Sequence, residues 1–281
     1  MKLSSVLSLF LVLMAISVPD AVMSAEDQAW RQRISAGPVE MTSDDVTEEI
    51  RFGREVAARL IGRYGLYNND PLTKYVNLVG LSLAANSNRP ELKYYFAVLN
   101  TSEINAYAAP GGYIFITKGA IDKMQDESEL AGVIAHEMGH INGKHVVKEL
   151  DIKATEGSAT AGLARLIGGG TESARLAFSK AVDQAMDTLF KTGYKREDEM
   201  QADKGSVMLC AVAGYDPAGL IRYFERLSAA KGKSTEVLDK THPAYDTRII
   251  LLKDTITLAA IDSAALKTYK DRFAQSIKTA K

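Results

Sequence analysis

Three of the chain's four histidines fall within ten residues, HEMGHINGKH, from His136 to His145. Imidazoles ligate metals and carry protons, so the first question is which of the three can point the same way. Residues four apart share one face of an α-helix. His136 and His140 can therefore grip one ion, while Glu137, one step round, reaches the water that would attack a substrate. His145 is placed differently. The extended zinc-peptidase pattern HExxHxxGxxH has its third histidine six residues after the second; here Gly143 is present, but that sixth position is Val146. If the helix simply continues, nine residues at about 100° each turn His145 to the side opposite His136. That predicts a structural or surface role for His145 rather than ligation.

Two imidazoles leave a site short of a third ligand, and KREDEMQAD, Lys195 to Asp203, offers one. Glu199 and Asp203 are four apart, so one helix can present Glu199 to a metal and Asp203 to the outer nitrogen of a ligating imidazole. The competing reading is a solvated charged face shared with Arg196, Glu197 and Asp198. His242 stands in THPAYDTR, at the entrance of a predicted helix whose first turn suits Pro243. It reads either as a cap or as a site residue, and in the second case as a donor to a developing oxyanion or an inhibitory ligand at the open position. The only cysteine, Cys210 in VMLCAV, reads as a buried structural thiol and allows no intramolecular disulfide.

The elements that must hold these residues are mostly helical. Ile50, Val56, Leu60 and Ile61 predict an amphipathic helix from Asp44 to Gly65, and Asp70-Pro71 supplies an N-cap and a first-turn proline for another through Leu83. The best strand candidates are KYYFAVL, Lys93 to Leu99, and GYIFIT, Gly112 to Thr117, with INAYAAPGG as a turn-rich joint between them. Asp126 and Glu129 give a capping-box-like start to the helix of the histidine pair, backed by Leu130, Val133 and Ile134. Further helices are predicted from Tyr194 to Val212, Asp216 to Ala229 and Pro243 to Leu258. The fold class is therefore α+β, mostly α-helical with a small β-sheet. Ala154 to Gly170, rich in small residues and ending in three glycines, reads equally as a mobile lid or a closely packed helix.

Composition sets the bounds. With 34 basic and 35 acidic residues the net charge is −1, which gives no reason to expect a nucleic-acid partner. Residues 1–25 have the layout of a signal peptide: Lys2, an apolar run from Val6 to Val18, then small residues up to Ala25, although Met23 suits cleavage poorly. An uncleaved anchor is the other reading. The expectation is an exported, periplasmic protein whose residues 26–281 form a single domain, with peripheral membrane association left open.

In order along the chain, INAYAAPGGYIFITKGAI, ESELAGVIAHEMGHINGKH, the ExxAD element Glu199 to Asp203, GYDP at Gly214 to Pro217, and HPAYDTR resemble the HtpX-type zinc metallopeptidases. That gluzincin group includes the CAAX prenyl proteases and the periplasmic BepA- and LoiP-like proteases, and the resemblance runs from about Asp44 to about Leu252. It implies a zincin-like domain with one zinc ion per chain, held by His136, His140 and Glu199. It further implies Glu137 as catalytic base, Asp203 behind a ligand, His242 over the metal and Arg248 in a supporting role. The strand around Gly111, Gly112, Tyr113 and Ile114 would border the cleft and bind an extended peptide by strand addition. The function implied is cleavage of unfolded or misassembled envelope proteins, outer-membrane proteins among them. The rival class is a chaperone-like protein that binds such clients and rarely cuts them; Glu137 between two ligand histidines favours the enzyme.

Overall fold

The computed structural model describes residues 42–153, 172–229 and 236–279. The expected signal peptide and the segment Ala154 to Gly170 lie outside the described residues. Thr42 starts the first helix, α1 (Ser43–Tyr64), with a reciprocal cap: its hydroxyl accepts the Asp45 amide at 3.1 Å, and the Asp45 carboxylate accepts the Thr42 amide at 2.9 Å. Helix α2 (Asp70–Ala84) is capped by Asn69 rather than by Asp70 as expected, the Asn69 Oδ1 accepting from Leu72 N–H at 2.9 Å. Asp70 then lies in the first turn, where a carboxylate favours the positive end of the helix dipole.

Three strands follow, β1 (Tyr95–Leu99), β2 (Ala106–Ala109) and β3 (Tyr113–Thr117), in the spatial order β1-β3-β2. β3 runs parallel to β1, pairing Tyr95 with Tyr113, and antiparallel to β2, pairing Ala109 with Tyr113. Two expectations are corrected here. The joint INAYAAPGG contains a strand, which its alanines conceal because they carry little intrinsic strand preference. And Gly111 to Ile114 cannot receive an added substrate strand. Gly111 and Gly112 form a tight turn in which the Gly111 amide donates to the buried Glu49 at 3.0 Å, while Tyr113 and Ile114 belong to the central strand, bonded on both sides. The edge strand on the side of the histidines is β2, all four of whose residues are buried.

The remaining described helices are α3 (Glu127–Gly143), the short α4 (His145–Glu149), α5 (Glu172–Asp187), α6 (Arg196–Val212), α7 (Ala218–Ala229), α8 (Tyr245–Leu258) and α9 (Lys270–Thr279), with single turns at Lys118–Ile121 and Glu236–Thr241. Helix α8 starts two residues after the expected Pro243; His242 instead closes the Glu236–Thr241 turn, its amide donating to Leu238 O at 3.1 Å. Among the described residues, no helix is long and apolar enough to cross a membrane.

Helix α3 is the axis of the fold. Asp126 caps it, accepting from Glu129 N–H at 3.0 Å, while Glu129 accepts from Gln125 N–H at 2.9 Å. Every residue of α3 except Asn142 is buried, between α2, β2, α6 and α7. A helix enclosed on all sides must bury its polar residues with partners in place. In its first turn, the buried Glu127 carboxylate accepts from the Tyr75 hydroxyl of α2 at 2.7 Å, from the Tyr215 hydroxyl at 2.9 Å and from Arg272 of α9 at 2.6 Å. Farther along, a Cβ on Gly139 would lie 2.7 Å from Ala202 Cα, so the bare glycine lets α3 and α6 approach backbone to backbone. Gly139→Ala should therefore cost about 1–3 kcal/mol of stability through overpacking, read by chemical denaturation, and should weaken metal binding by forcing the two helices apart.

Candidate metal centre

The approach of α3 and α6 is what brings remote residues together. His136 and His140 lie one turn apart on α3, with Nε2 atoms 3.1 Å from each other. Glu199, in the first turn of α6, brings Oε1 to 3.5 Å from His140 Nε2 and Oε2 to 3.8 Å from His136 Nε2. His242 Nε2 stands 3.7 Å from Glu199 Oε1, and one ligand atom from each of these four residues lies within 4.8 Å of all the others. Four atoms bound tetrahedrally at about 2.0–2.1 Å from one ion would be roughly 3.3 Å apart, so the set has the right size. The electrostatics agree. Both Glu199 oxygens are buried and accept no hydrogen bond, and burial pushes this carboxyl well above the ordinary glutamate range. Burial also drives His136 and His140 below the usual imidazole value and keeps them neutral, the form that ligates. A buried, unsatisfied carboxylate facing neutral imidazoles fits a divalent cation.

The outer sides of the ligands are also fixed. His136 Nδ1 lies 2.9 Å from Asp203 Oδ1, one turn beyond Glu199 on α6. Arg248 of α8 grips Asp203 with two bonds, Nη2 to Oδ1 at 2.7 Å and Nε to Oδ2 at 2.9 Å, and its guanidinium stacks 4.2 Å over the Phe224 ring. Burial alone would raise the Asp203 carboxyl; Arg248 and His136 outweigh it and hold the group far below the ordinary aspartate range. Glu137 is also buried, and with only distant Arg248 to oppose desolvation its carboxyl is pushed up to about 8. A divalent cation beside it would act in the opposite direction.

Two recesses flank the imidazoles. One, about 340 Å³, is bordered by Glu137, His242 and Arg248 and by apolar Val133, Leu220 and Phe224. Asn105 and Ala106 from the start of β2 also line it, and Asn105 Nδ2 is buried there without a hydrogen bond. The other, smaller, lies between Ala108, Pro110, His140 and Tyr194. Thr117 N–H donates to Asn105 O, so the alternating ladder turns Ala108 N–H and C=O away from β3, towards this side.

Two residues of the centre escaped the sequence reading. His145 is 2% exposed rather than on the surface, because the helix does not continue: Gly143 ends α3 and Lys144, at φ 57°, reverses the chain. That fold-back puts His145 Nδ1 2.8 Å from His140 Nδ1. The Gly143-Lys144 pair was the available signal, since a glycine at the end of a helix marks a turn. Tyr194 stacks on His140 with ring centroids 3.9 Å apart and planes at 15°, a contact no spacing rule anticipates.

Paired imidazoles, a remote carboxylate and an adjacent buried glutamate, carried on a helical domain with a small sheet, have the layout of a zincin-like metal centre. The sequence matches the model of Peptidase family M48 over residues 71–256, and the chain belongs to that family. Among its relatives are the beta-barrel assembly-enhancing protease of Escherichia coli strain K12, 25% identical over 73% of this chain and 43% of the relative, and metalloprotease YcaL of the same strain, 26% identical over 74% and 76%. Metalloprotease LoiP, also from that strain, is 28% identical over 69% of this chain and 74% of its own. The chain thus spans less than half the length of the assembly-enhancing proteases it matches.

Asp203→Asn retains the shape at the outer nitrogen of His136 but removes the charge that orients it. Metal affinity, measured by competition with a chelating indicator, should fall by about 10–100-fold.

Proposed function

We propose that this chain is an exported zinc endopeptidase acting in the periplasm on unfolded or misassembled envelope polypeptides, with outer-membrane proteins as a substrate class. The single observation that carries the reading is the convergence of His136, His140 and Glu199 around one point, with the Glu137 carboxyl buried beside them. Zinc held by those three residues would supply a Lewis acid, polarising a peptide carbonyl and lowering the pKa of water at an open position.

The chain's own groups supply the rest. Glu137, buried one residue from His136, is placed to take a proton from the attacking water and then deliver it to the leaving amine nitrogen. An extended peptide laid along β2 would meet the outward-facing Ala108 N–H and C=O, which read backbone rather than sequence. The recess beside Glu137, with Val133, Leu220 and Phe224 in its walls, suits an apolar side chain next to the scissile bond. Such side chains are exposed chiefly in unfolded proteins. The likeness to beta-barrel assembly-enhancing proteases supports barrel-forming membrane proteins as substrates, and the signal-like residues 1–25 support export. A binding protein without proteolysis has no use for a buried glutamate at this position.

His242 stands at the fourth corner of the ligand set, so water and substrate can enter only when its ring moves aside. We assign it as a displaceable cap.

Purified protein should hold one zinc per chain and cleave unfolded casein, with cleavage lost on chelation and restored by added zinc. Glu137→Gln should retain the metal while kcat falls by at least about 100-fold, the usual scale for loss of a general base. His242→Ala should keep zinc and raise cleavage several-fold; a fall in cleavage would make the ring a transition-state donor instead.

A further inference from the structure

The two imidazoles of the centre are held from behind in different ways. His136 leans on a carboxylate, Asp203, whereas behind His140 stands a third imidazole. His145 Nδ1 is 2.8 Å from His140 Nδ1, and the two rings meet edge to face at 5.0 Å and 78°. On its far side, His145 Nε2 lies 3.2 Å from Gln201 Oε1 and 3.6 Å from Asp198 Oδ1. Both partners belong to α6, where they flank Glu199. A side chain from the turn after α3 therefore bridges one histidine of the pair to the helix that supplies the carboxylate.

Hydrogen-bond chemistry fixes the direction of this chain of contacts. The Asp198 carboxylate, which only accepts, and the Gln201 Oε1 both face His145 Nε2, so this nitrogen carries the proton that it gives to Gln201 Oε1. In a neutral ring the Nδ1 of His145 is then a lone pair, and it can only accept from His140 Nδ1–H. With its proton at Nδ1, His140 turns the lone pair of Nε2 towards His136 Nε2 and Glu199 Oε1, where a metal would sit. The local backbone is built for this approach: a Cβ on Gly143 would lie 2.1 Å from His145 Nε2, and Lys144 takes a left-handed conformation that a lysine adopts only at some cost.

We infer that His145 is a positioning residue of the metal centre, which fixes the tautomer and ring orientation of His140 and is itself oriented by Gln201. The inference rests on the metal-binding reading given above. Its role is distinct from ligation, since both of its ring nitrogens are engaged by other side chains. It also differs from simple core packing, because what it transmits is the placement of one proton.

The test compares His145→Leu, His145→Asn and Gln201→Leu with the unsubstituted protein, reading zinc affinity by chelator competition, the visible spectrum of the cobalt(II)-loaded protein, and the denaturation midpoint of the metal-free protein. His145→Leu should lose about 10–100-fold in affinity and shift the cobalt bands, with kcat falling more than KM changes. His145→Asn, which offers an acceptor oxygen near the old Nδ1, should recover much of that loss. Gln201→Leu, the variant to use if His145→Leu does not fold, should show a smaller loss in the same direction. Unchanged affinity and spectrum in His145→Leu, or in Gln201→Leu where that variant stands in for it, would overturn the inference. So would an affinity loss that Asn does not relieve and that only follows a lower denaturation midpoint. Failure of the unsubstituted protein to take up zinc or cobalt would overturn the metal-binding reading itself, and this inference with it.

Discussion

Two helix backbones can meet without a side chain between them only where glycine faces a small residue, and one such place in this protein lies between the two histidines of the pair. Gly139 of α3 rests on Ala202 of α6. The same approach sets Glu199, three residues before Ala202, against the imidazoles, and Asp203, one residue after it, against the back of His136. One close contact thus registers a carboxylate near each ring nitrogen of His136. Burying so many ionisable groups is costly unless each has a partner, and the partners are arranged in closed pairs: Asp203 with Arg248, Glu49 with Arg89, Glu127 with Arg272. Both oxygens of Glu199 are buried and accept no hydrogen bond, and that imbalance is what a divalent ion would correct.

The sequence was most legible where a local rule tied chemistry to geometry. A four-residue spacing places two side chains on one helix face whatever the rest of the chain does, so the relation of His136, Glu137 and His140 followed from spacing alone. The long helices were legible for the same reason, through their apolar periods and caps. Glu199 and Asp203 were half legible: their mutual spacing is local, but their meeting with the histidines depends on helix packing across more than fifty residues. Only the resemblance of the ordered motifs pointed there. Arg248 was reachable on the same ground, and its double bond to Asp203 gives that role a physical form.

The errors also have local causes. His145 was left open between a structural and a surface place on an unbroken helix, and a single left-handed lysine decides for the buried, structural one. Strand β2 was hidden because four small residues gain their strand conformation from neighbours rather than from propensity. Missing it left β3 as the strand read for the cleft border, and β3 is paired on both sides. Asn69 in place of Asp70 is a one-residue error of the kind that caps commonly produce.

The buried tie between Glu127 and Arg272 bears on when the centre can come into being. Glu127 opens the helix of the histidine pair, yet one of its partners is supplied by α9, which follows every candidate ligand in the chain. Until residue 272 has been made and docked, the start of that helix holds a buried negative charge short of one cation. A ribosome delivers the chain from its N-terminal end. The last tie on the helix of the histidine pair is therefore made only after residues 270–279 are in place.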